Sequence, residues 1–121
     1  MDCTFCKIIK GDIPSYTIYE DKLVKAFLDI HPDSNGHILI IPKQHITDID
    51  DMDEKTFVEI LQIAKDLKRL LESKLQIDGL TLVQNNGYVQ EVKHFHLHLK
   101  PFYKNKKGIM SVEEIYSILK P

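Results

Sequence analysis

Residues 94 to 98 read His94-Phe95-His96-Leu97-His98, three histidines that alternate with apolar residues. Side chains on a β-strand alternate between its two faces, so a strand here puts the three imidazoles on one face and the apolar residues on the other. A helix would separate the histidines, because residues two apart do not share a helical face. The stretch therefore predicts a half-buried strand that presents three groups able to change charge near neutral pH.

The length and composition bound the class of protein. With 121 residues, 43% of them hydrophobic and 28% charged, we expect a single globular domain over residues 1–121. The net charge of −2 argues against a nucleic-acid partner, because such proteins carry an excess of Lys and Arg. No apolar stretch approaches the ~20 residues that span a bilayer, and the N-terminus does not read as a signal peptide. We expect no membrane association and a cytoplasmic location.

The rest of the chain divides into helical and extended segments. Apolar residues recur at three- and four-residue steps from Phe57 to Leu75, which predicts one long helix with Asp51 or Asp53 as its N-cap. Short helices are expected near both termini, one capped by Asp2 and ended by Gly11 and one over residues 112–119. Extended segments are expected over residues 17–20, 22–29, 37–41, 80–84 and 91–100. Strands before and after one helix indicate an α+β domain with an antiparallel sheet.

Cys3 and Cys6 form a Cys-x-x-Cys motif, whose two-residue gap lets both thiolates reach one Zn²⁺. His45, which follows the strand that Pro42 closes, and His94 are our candidates for the other two ligands. Four such ligands would form a closed structural site that holds the N-terminal helix on the sheet. On spacing alone, two reduced cysteines without a metal are an equal alternative. A redox pair is disfavoured, because no strand precedes the motif.

The remaining histidines are candidates for catalysis. With His94 committed to zinc, His96 is free as a nucleophile and His98 is its neighbour on the same face. An imidazole that attacks phosphorus forms a phosphoimidazole that water can cleave. His98 can donate to a phosphate oxygen or to the leaving group. His37 starts another strand and is a fourth candidate, for which a core histidine without a catalytic role is a near-even alternative.

Several segments in a fixed order carry a resemblance to a known family. They are the triad itself, the opening run from Phe5 to Pro14, two middle strands at residues 27–32 and 36–45, and the Asn85-Asn86-Gly87 turn before the triad. From about Cys3 to Lys100 the chain resembles the histidine triad (HIT) family of nucleotide hydrolases and transferases, and within it the zinc-binding, HINT-like branch.

The resemblance implies a HIT-like fold, an antiparallel five-stranded sheet with one long helix and short terminal helices. It also implies that this sheet continues across a homodimer, and that the ligand is a purine nucleotide or nucleotide conjugate. It implies that His96 attacks the α-phosphorus, that His98 contacts the phosphate and that His37 supports the triad.

The resemblance also implies the remaining site residues. Asp29 matches the acidic residue that binds the ribose hydroxyls, and Asn85 and Gln90 fall near the phosphate-side contacts. The base pocket that it implies consists of Phe5, Ile8, Phe27 and Ile30. Relatives with an N-terminal Cys-x-x-Cys bind structural zinc through residues that match Cys3, Cys6, His45 and His94.

The chain departs from many relatives on the side of the leaving group. The loop from Tyr88 to Glu91 is about two residues shorter, and Glu91 stands where relatives often have a small or hydroxyl residue. Leu99-Lys100-Pro101 replaces a frequent Ile-Pro-Arg. The resemblance therefore does not carry over a leaving-group preference.

We predict a nucleotide-binding hydrolase or nucleotidyl transferase. It would cleave a phosphoramidate, an acyl-adenylate or a dinucleoside polyphosphate at the α-phosphorus through a nucleotidyl-histidine intermediate. One alternative is a metal-dependent hydrolase in which His96 and His98 are ligands, with Asp29 or His37 as a third. The other is a nucleotide-binding module with little turnover.

Overall fold

A single antiparallel sheet organises the chain in the computed structural model, which describes residues 3–120. The strands follow the order β1-β2-β3-β5-β4, and every neighbouring pair is antiparallel. The strands are β1 Thr17–Glu20, β2 Val24–Leu28, β3 Ile38–Pro42, β4 Gly79–Gln84 and β5 Leu97–Phe102; the helices are α1 Thr4–Lys10, α2 Glu54–Leu75 and α3 Val112–Leu119. The predicted α+β class, with five strands, one long helix and short terminal helices, is confirmed.

The long helix α2 covers one face of the sheet. Asp53 is its N-cap, as one of the two expected residues, and its carboxylate accepts a hydrogen bond from the backbone N–H of Thr56 at 3.0 Å. The helix ends at Leu75, and Gln76 adopts a left-handed conformation with φ of 49°. The apolar stripe of α2 packs with inward residues of the central strands and with α3 into the main core. This core holds the sheet rigid beneath the opposite face.

The short helix α1 covers part of the opposite face. Its N-cap is Cys3, whose thiol accepts a hydrogen bond from the N–H of Cys6, and Gly11 ends it with a φ of 88°. Asp2, the expected cap, lies outside the described residues. Phe5 and Ile8 of α1 are buried in a second apolar cluster with sheet residues Phe27, Leu39 and Ile41. Each face of the sheet therefore has its own apolar cover.

The strand expected over residues 91–100 begins later than predicted, at Leu97. Its ladders with β3 and β4 both start at Leu97, and the N–H of Phe95 donates instead to the carbonyl of Ile46, beyond the end of β3. Residues 94–96 therefore precede the sheet, with His94 in a bend. The alternation of faces still holds, because Phe95 and Leu97 enter the main core while His96 contacts Phe5 of α1.

None of the helices within residues 3–120 is both long enough and apolar enough to cross a bilayer.

Candidate functional site

A cavity of about 520 Å³ opens on the face of the sheet that α1 covers only in part. One part of its lining is apolar and includes Phe5, Ile8, Phe27 and Leu39. The other part is polar and includes His37, His96 and His98, with Asp29 and Lys100 beside them. The arrangement follows from the register, because Phe27 pairs with Leu39, and Leu39 pairs with His98 across three adjacent strands.

His96 is oriented by the backbone of the residue two before it. Its Nδ1 lies 2.7 Å from the carbonyl oxygen of His94, so Nδ1 carries the proton and donates. In the neutral imidazole the lone pair is then on Nε2. The ring is 5% exposed and packs edge-on against Phe5, with ring centres 5.1 Å apart. His96 is thus a fixed imidazole with a free lone pair in a largely water-excluded place.

Hydrogen bonds also determine the tautomers of His37 and His98. The backbone N–H of Asp33 donates to His37 Nδ1 at 3.1 Å, so the proton of neutral His37 is on Nε2. That nitrogen lies 2.9 Å from His98 Nδ1 and 3.6 Å from a carboxylate oxygen of Asp29. His98 Nδ1 therefore accepts, and its own proton is on Nε2. His98 is left with an N–H available to a ligand.

Burial keeps these two histidines neutral. Desolvation lowers the pKa of His37, although the carboxylates of Asp29 and Asp33 oppose this effect. Desolvation also lowers the pKa of His98 to about 4, and the neighbouring charges of His96, His37 and Lys100 add to it. At neutral pH the hydrogen bond from His37 to His98 therefore joins two uncharged imidazoles, as the assigned donor and acceptor nitrogens require.

Next to the cavity, four predicted ligands converge from three segments. The donor atoms of Cys3, Cys6, His45 and His94 all lie within 4.8 Å of one another. Cys3 Sγ is 3.4 Å from His94 Nδ1, and Cys6 Sγ is 3.2 Å from His45 Nδ1 and 3.6 Å from His94 Nδ1. Tetrahedral zinc with ordinary bond lengths separates a sulfur from a nitrogen ligand by about 3.5 Å. The spacing therefore fits one zinc ion.

The surroundings of these donors also fit zinc. His94 Nε2 lies 2.8 Å from the carbonyl oxygen of Pro42 and donates to it, which leaves the Nδ1 lone pair directed at the thiols. Burial lowers the pKa of His94, so its imidazole is neutral, as a ligand must be. Burial and the nearby Cys3 raise the pKa of the Cys6 thiol, and a bound cation would reverse this effect. The Cys/His cluster is compatible with a structural zinc site.

Most of the site residues expected from the sequence come together in one of these two places. The cavity lining contains His37, His96, His98, Asp29, Asn85, Phe5, Ile8, Phe27 and Ile30. The structure does not bring Gln90 to the cavity. Its side chain is 3% exposed and its amide donates to the carbonyl of Thr47, so it ties the turn before the triad to the loop after β3.

Sequence reasoning missed several further residues of the cavity, among them Leu39, Asp33 and Lys100. Leu39 forms its floor, and Asp33 and Lys100 form a salt bridge of 2.8 Å at its polar end. Two of them had a usable signal. Leu39 is two residues after His37 and Lys100 is two residues after His98, so each shares a face with a histidine. Asp33 lies in a turn, for which the sequence offers no periodicity.

Comparisons with known proteins agree with this geometry. The family model described as HIT domain matches residues 10–105 of the chain. An uncharacterized HIT-like protein of Methanocaldococcus jannaschii is 41% identical over 120 residues, which cover 96% of this chain and 91% of that protein. The adenosine 5'-monophosphoramidase HNT1 of Saccharomyces cerevisiae is 42% identical over 110 residues, which cover 89% and 67%.

Solved structures match over nearly the whole chain. The crystal structure of a zinc-bound histidine triad family protein from Mycobacterium smegmatis has a TM-score of 0.89 and 34% identity, with coverage of 99% of this chain and 91% of that one. A hypothetical histidine triad nucleotide-binding protein from Sulfolobus tokodaii has a TM-score of 0.89 and 31% identity, with coverage of 97% and 89%. With its triad, fold and family match in agreement, the chain belongs to the histidine triad (HIT) family of hydrolases.

Proposed function

We propose that this protein hydrolyses purine nucleotide conjugates at the α-phosphorus, with nucleoside 5'-phosphoramidates as the first class to test and acyl-adenylates and dinucleoside polyphosphates as related classes. The observation that carries the proposal is the orientation of His96. Its Nδ1 is bound to the carbonyl of His94, and its Nε2 lone pair is therefore free beside an apolar cavity. The likeness to the monophosphoramidase of S. cerevisiae supports the phosphoramidate class.

The cavity has a suitable surface for each part of a nucleotide. Phe5, Ile8, Phe27 and the exposed Ile30 offer apolar contacts to a purine base. The carboxylate of Asp29 is the group that would accept hydrogen bonds from ribose hydroxyls. That carboxylate is 3.6 Å from His37 Nε2, so a ribose bound to it would lie next to the histidines. Asn85 also lines the cavity and would be a further polar contact on the phosphate side.

The proposed reaction has two steps through His96. A bond forms between His96 Nε2 and the α-phosphorus while the phosphorus–nitrogen bond to the leaving amine breaks, and that amine takes up one proton at His98 Nε2, which water replenishes. Water then attacks the phosphorus, the bond to His96 breaks, and the nucleoside monophosphate leaves. This second step returns one proton to solvent, which balances the first. The N–H of His98 also stabilises charge on the phosphate oxygens.

Zinc in the cluster of Cys3, Cys6, His45 and His94 would be structural. It would tie α1 to the loop after β3 and to the segment before β5, and so hold both Phe5 and His96 at the cavity. No step of the proposed reaction passes through it. The free thiols that such a site needs are a reason to propose a reducing, cytoplasmic location.

A metal-dependent hydrolase is the second candidate, because donor atoms of Asp29, His37 and His98 lie within 4.8 Å of one another. The hydrogen bonds argue against it. His37 Nδ1 accepts from the N–H of Asp33, so its Nε2 carries a proton and has no lone pair for a metal. His96, a ligand in this alternative, is not part of the cluster. Activity that stops on chelation while the fold persists would favour this candidate.

We further propose that the chain forms one domain over residues 1–121 and assembles as a homodimer through β4. This strand is at the edge of the sheet, and Leu82 on it is 47% exposed. Leu82 pairs with Leu99, so it lies on the face that α2 covers, and α2 itself exposes Val58 and Leu61. An unpaired edge next to apolar side chains is a surface that a second copy can cover.

The test is intact-protein mass spectrometry after brief incubation with an adenosine 5'-phosphoramidate. We expect a transient adduct of one adenylyl group on the wild type and none on His96→Ala. Turnover without an adduct that also stops on chelation would replace the proposal with the metal-dependent hydrolase. Tight binding of AMP with no turnover of any of the three substrate classes would replace it with a nucleotide-binding module.

A further inference from the structure

We infer that Lys100 determines leaving-group specificity, and that it selects substrates whose leaving group carries an anionic oxygen group, a carboxylate or a phosphate. The inference rests on the proposed function, and it assigns a role to a residue that neither the triad nor the zinc cluster uses.

The position of Lys100 follows from the alternation along β5. His96, His98 and Lys100 are each two residues apart, and all three line the cavity. The pairing of Ile38 with Leu99 puts Lys100 beside His37 on the neighbouring strand. Its side chain is 32% exposed, so the ammonium group is at the mouth of the cavity rather than beneath it.

The geometry of displacement at phosphorus directs the leaving group toward this lysine. The attacking and leaving atoms are roughly in line on opposite sides of the phosphorus. His96 attacks from the buried end of the cavity, and His98 is the next side chain along the strand. The inference requires that the leaving group departs along β5, past His98 and toward Lys100, which line the same cavity. The ribose would not occupy this place, because its proposed contact Asp29 follows β2, and β2 and β5 lie on opposite sides of β3.

The charges around the cavity indicate why Lys100 would favour an anionic leaving group. Among the residues that the structure describes, it is the single Lys or Arg in the lining, while Asp29, Asp33 and Glu91 are acidic. Without it, an anionic leaving group would meet carboxylates alone. Lys100 is held by Asp33 at 2.8 Å, but Asp33 is 64% exposed, and exposed ion pairs are weak. The ammonium can therefore exchange Asp33 for an anion of the substrate.

The experiment uses three adenosine 5'-phosphoramidates whose leaving amines differ mainly in charge: glycinamide, which has no anionic group, glycine, which has a carboxylate, and aminomethylphosphonate, which has a phosphonate. The measured quantity is kcat/KM of each anionic substrate divided by that of the glycinamide substrate. Lys100 also helps to lower the pKa of His98, but this effect is common to all three substrates and cancels in the ratio.

We expect Lys100→Met to lower both ratios by roughly five- to tenfold, the range for losing a charge-assisted contact at a partly exposed site. Lys100→Arg should retain most of the preference. Asp33→Asn, which removes the competing carboxylate, should raise the ratios. The matched control is Lys104→Met, because Lys104 is an exposed lysine outside the cavity lining, and its ratios should equal those of the wild type.

Turnover of the glycinamide substrate by Lys100→Met is the control for folding. Unchanged ratios in a variant that turns over this substrate would overturn the inference and leave the proposed function intact. A fall in the ratios for Asp33→Asn would also overturn it, because it would show that Lys100 does not exchange Asp33 for the anionic group of the substrate. A change with one anionic substrate alone would support the inference for that anion. If the wild type hydrolyses none of the three, the proposed function fails and the inference with it.

Discussion

Each triad histidine is assigned its chemistry by a different hydrogen-bond partner. The carbonyl of Pro42 holds the proton of His94 on Nε2, and the carbonyl of His94 holds that of His96 on Nδ1. His98 accepts from His37 instead, and keeps its own N–H for a ligand. Three residues of one type therefore present three different groups: a lone pair directed at the thiols, a lone pair beside the cavity and an N–H donor.

This division predicts opposite phenotypes for two neighbouring substitutions. His96→Ala should lower kcat by at least ~10³-fold and leave zinc content and the unfolding midpoint close to wild type, because it removes the proposed nucleophile alone. His94→Ala should lose zinc and unfold at a lower temperature, because it removes a buried ligand. Steady-state kinetics, metal analysis and thermal unfolding of both variants test the split. Similar behaviour of the two would refute it.

The lowered pKa of His98 predicts a pH dependence of stability. Its pKa is about 4 in the folded protein and 6.5 in its ordinary state. Between these values the unfolded chain binds more protons than the folded one, so the free energy of unfolding falls as pH falls through this window. His98→Asn can still accept from His37 but does not titrate there, so its loss of stability should be shallower. Urea unfolding of both proteins across the window measures the difference, and equal slopes would contradict the prediction.

At the level of elements, the turn between β2 and β3 connects the packing of α2 with the site. Gly36 has a φ of 91°, which L-residues rarely adopt, and an added Cβ would lie 2.7 Å from Leu75 and 2.9 Å from Leu71 of α2. The next residue is His37, so the close approach of α2 to this turn helps to set the position of that imidazole.

Two glycines with nearly the same φ separate backbone strain from packing. Gly36→Ala should lower the free energy of unfolding by about 2–4 kcal/mol, because it combines left-handed strain with overpacking against α2. Gly11 has a φ of 88°, but a Cβ added there would meet no atom within 4 Å. Gly11→Ala should therefore lower the free energy of unfolding by only about 1 kcal/mol. Urea unfolding of both variants tests this. Equal losses would show that α2 yields to the extra methyl group at no cost.

At the level of the whole molecule, the two faces of the sheet have different roles. The face under α2 and α3 forms the main core, and the face under α1 carries the cavity and the Cys/His cluster. The edge strand β4 belongs to both faces. An assembly through β4 would therefore bury the apolar edge without covering the triad, which lies on β5 and the segment before it.

The proposed dimer makes a prediction at this scale. Leu82→Arg puts a charge on the exposed edge strand, so it should convert a dimer to a monomer in analytical ultracentrifugation while the fold persists. The matched control is Ile109→Arg, because Ile109 is 57% exposed and lies in the loop before α3. That variant should remain a dimer. A monomeric wild type would refute the homodimer.

The features that depend on local periodicity were predictable from the order of residues alone. The alternation through residues 94–98 sorted the histidines from the core residues, and the helical repeat from Phe57 to Leu75 predicted α2. Spacing and resemblance together grouped the four Cys and His residues that the fold brings within 4.8 Å. These features were readable because they repeat over a few residues and bury one face.

The point where strand pairing stops and the protonated nitrogens of His94 and His98 depend on contacts between distant segments. The strand begins at Leu97 rather than residue 91, since its ladders with β3 and β4 end there and the N–H of Phe95 donates to the carbonyl of Ile46 instead. Gln90 is bound to Thr47 instead of lining the cavity, and Asp33 and Lys100 meet there from distant segments. Each of these contacts joins residues far apart in the chain, so no local pattern encodes it. The proton positions of His94 and His98 depend on two more such contacts, with Pro42 and His37, whereas His96 is bound to the carbonyl oxygen of His94, two residues earlier.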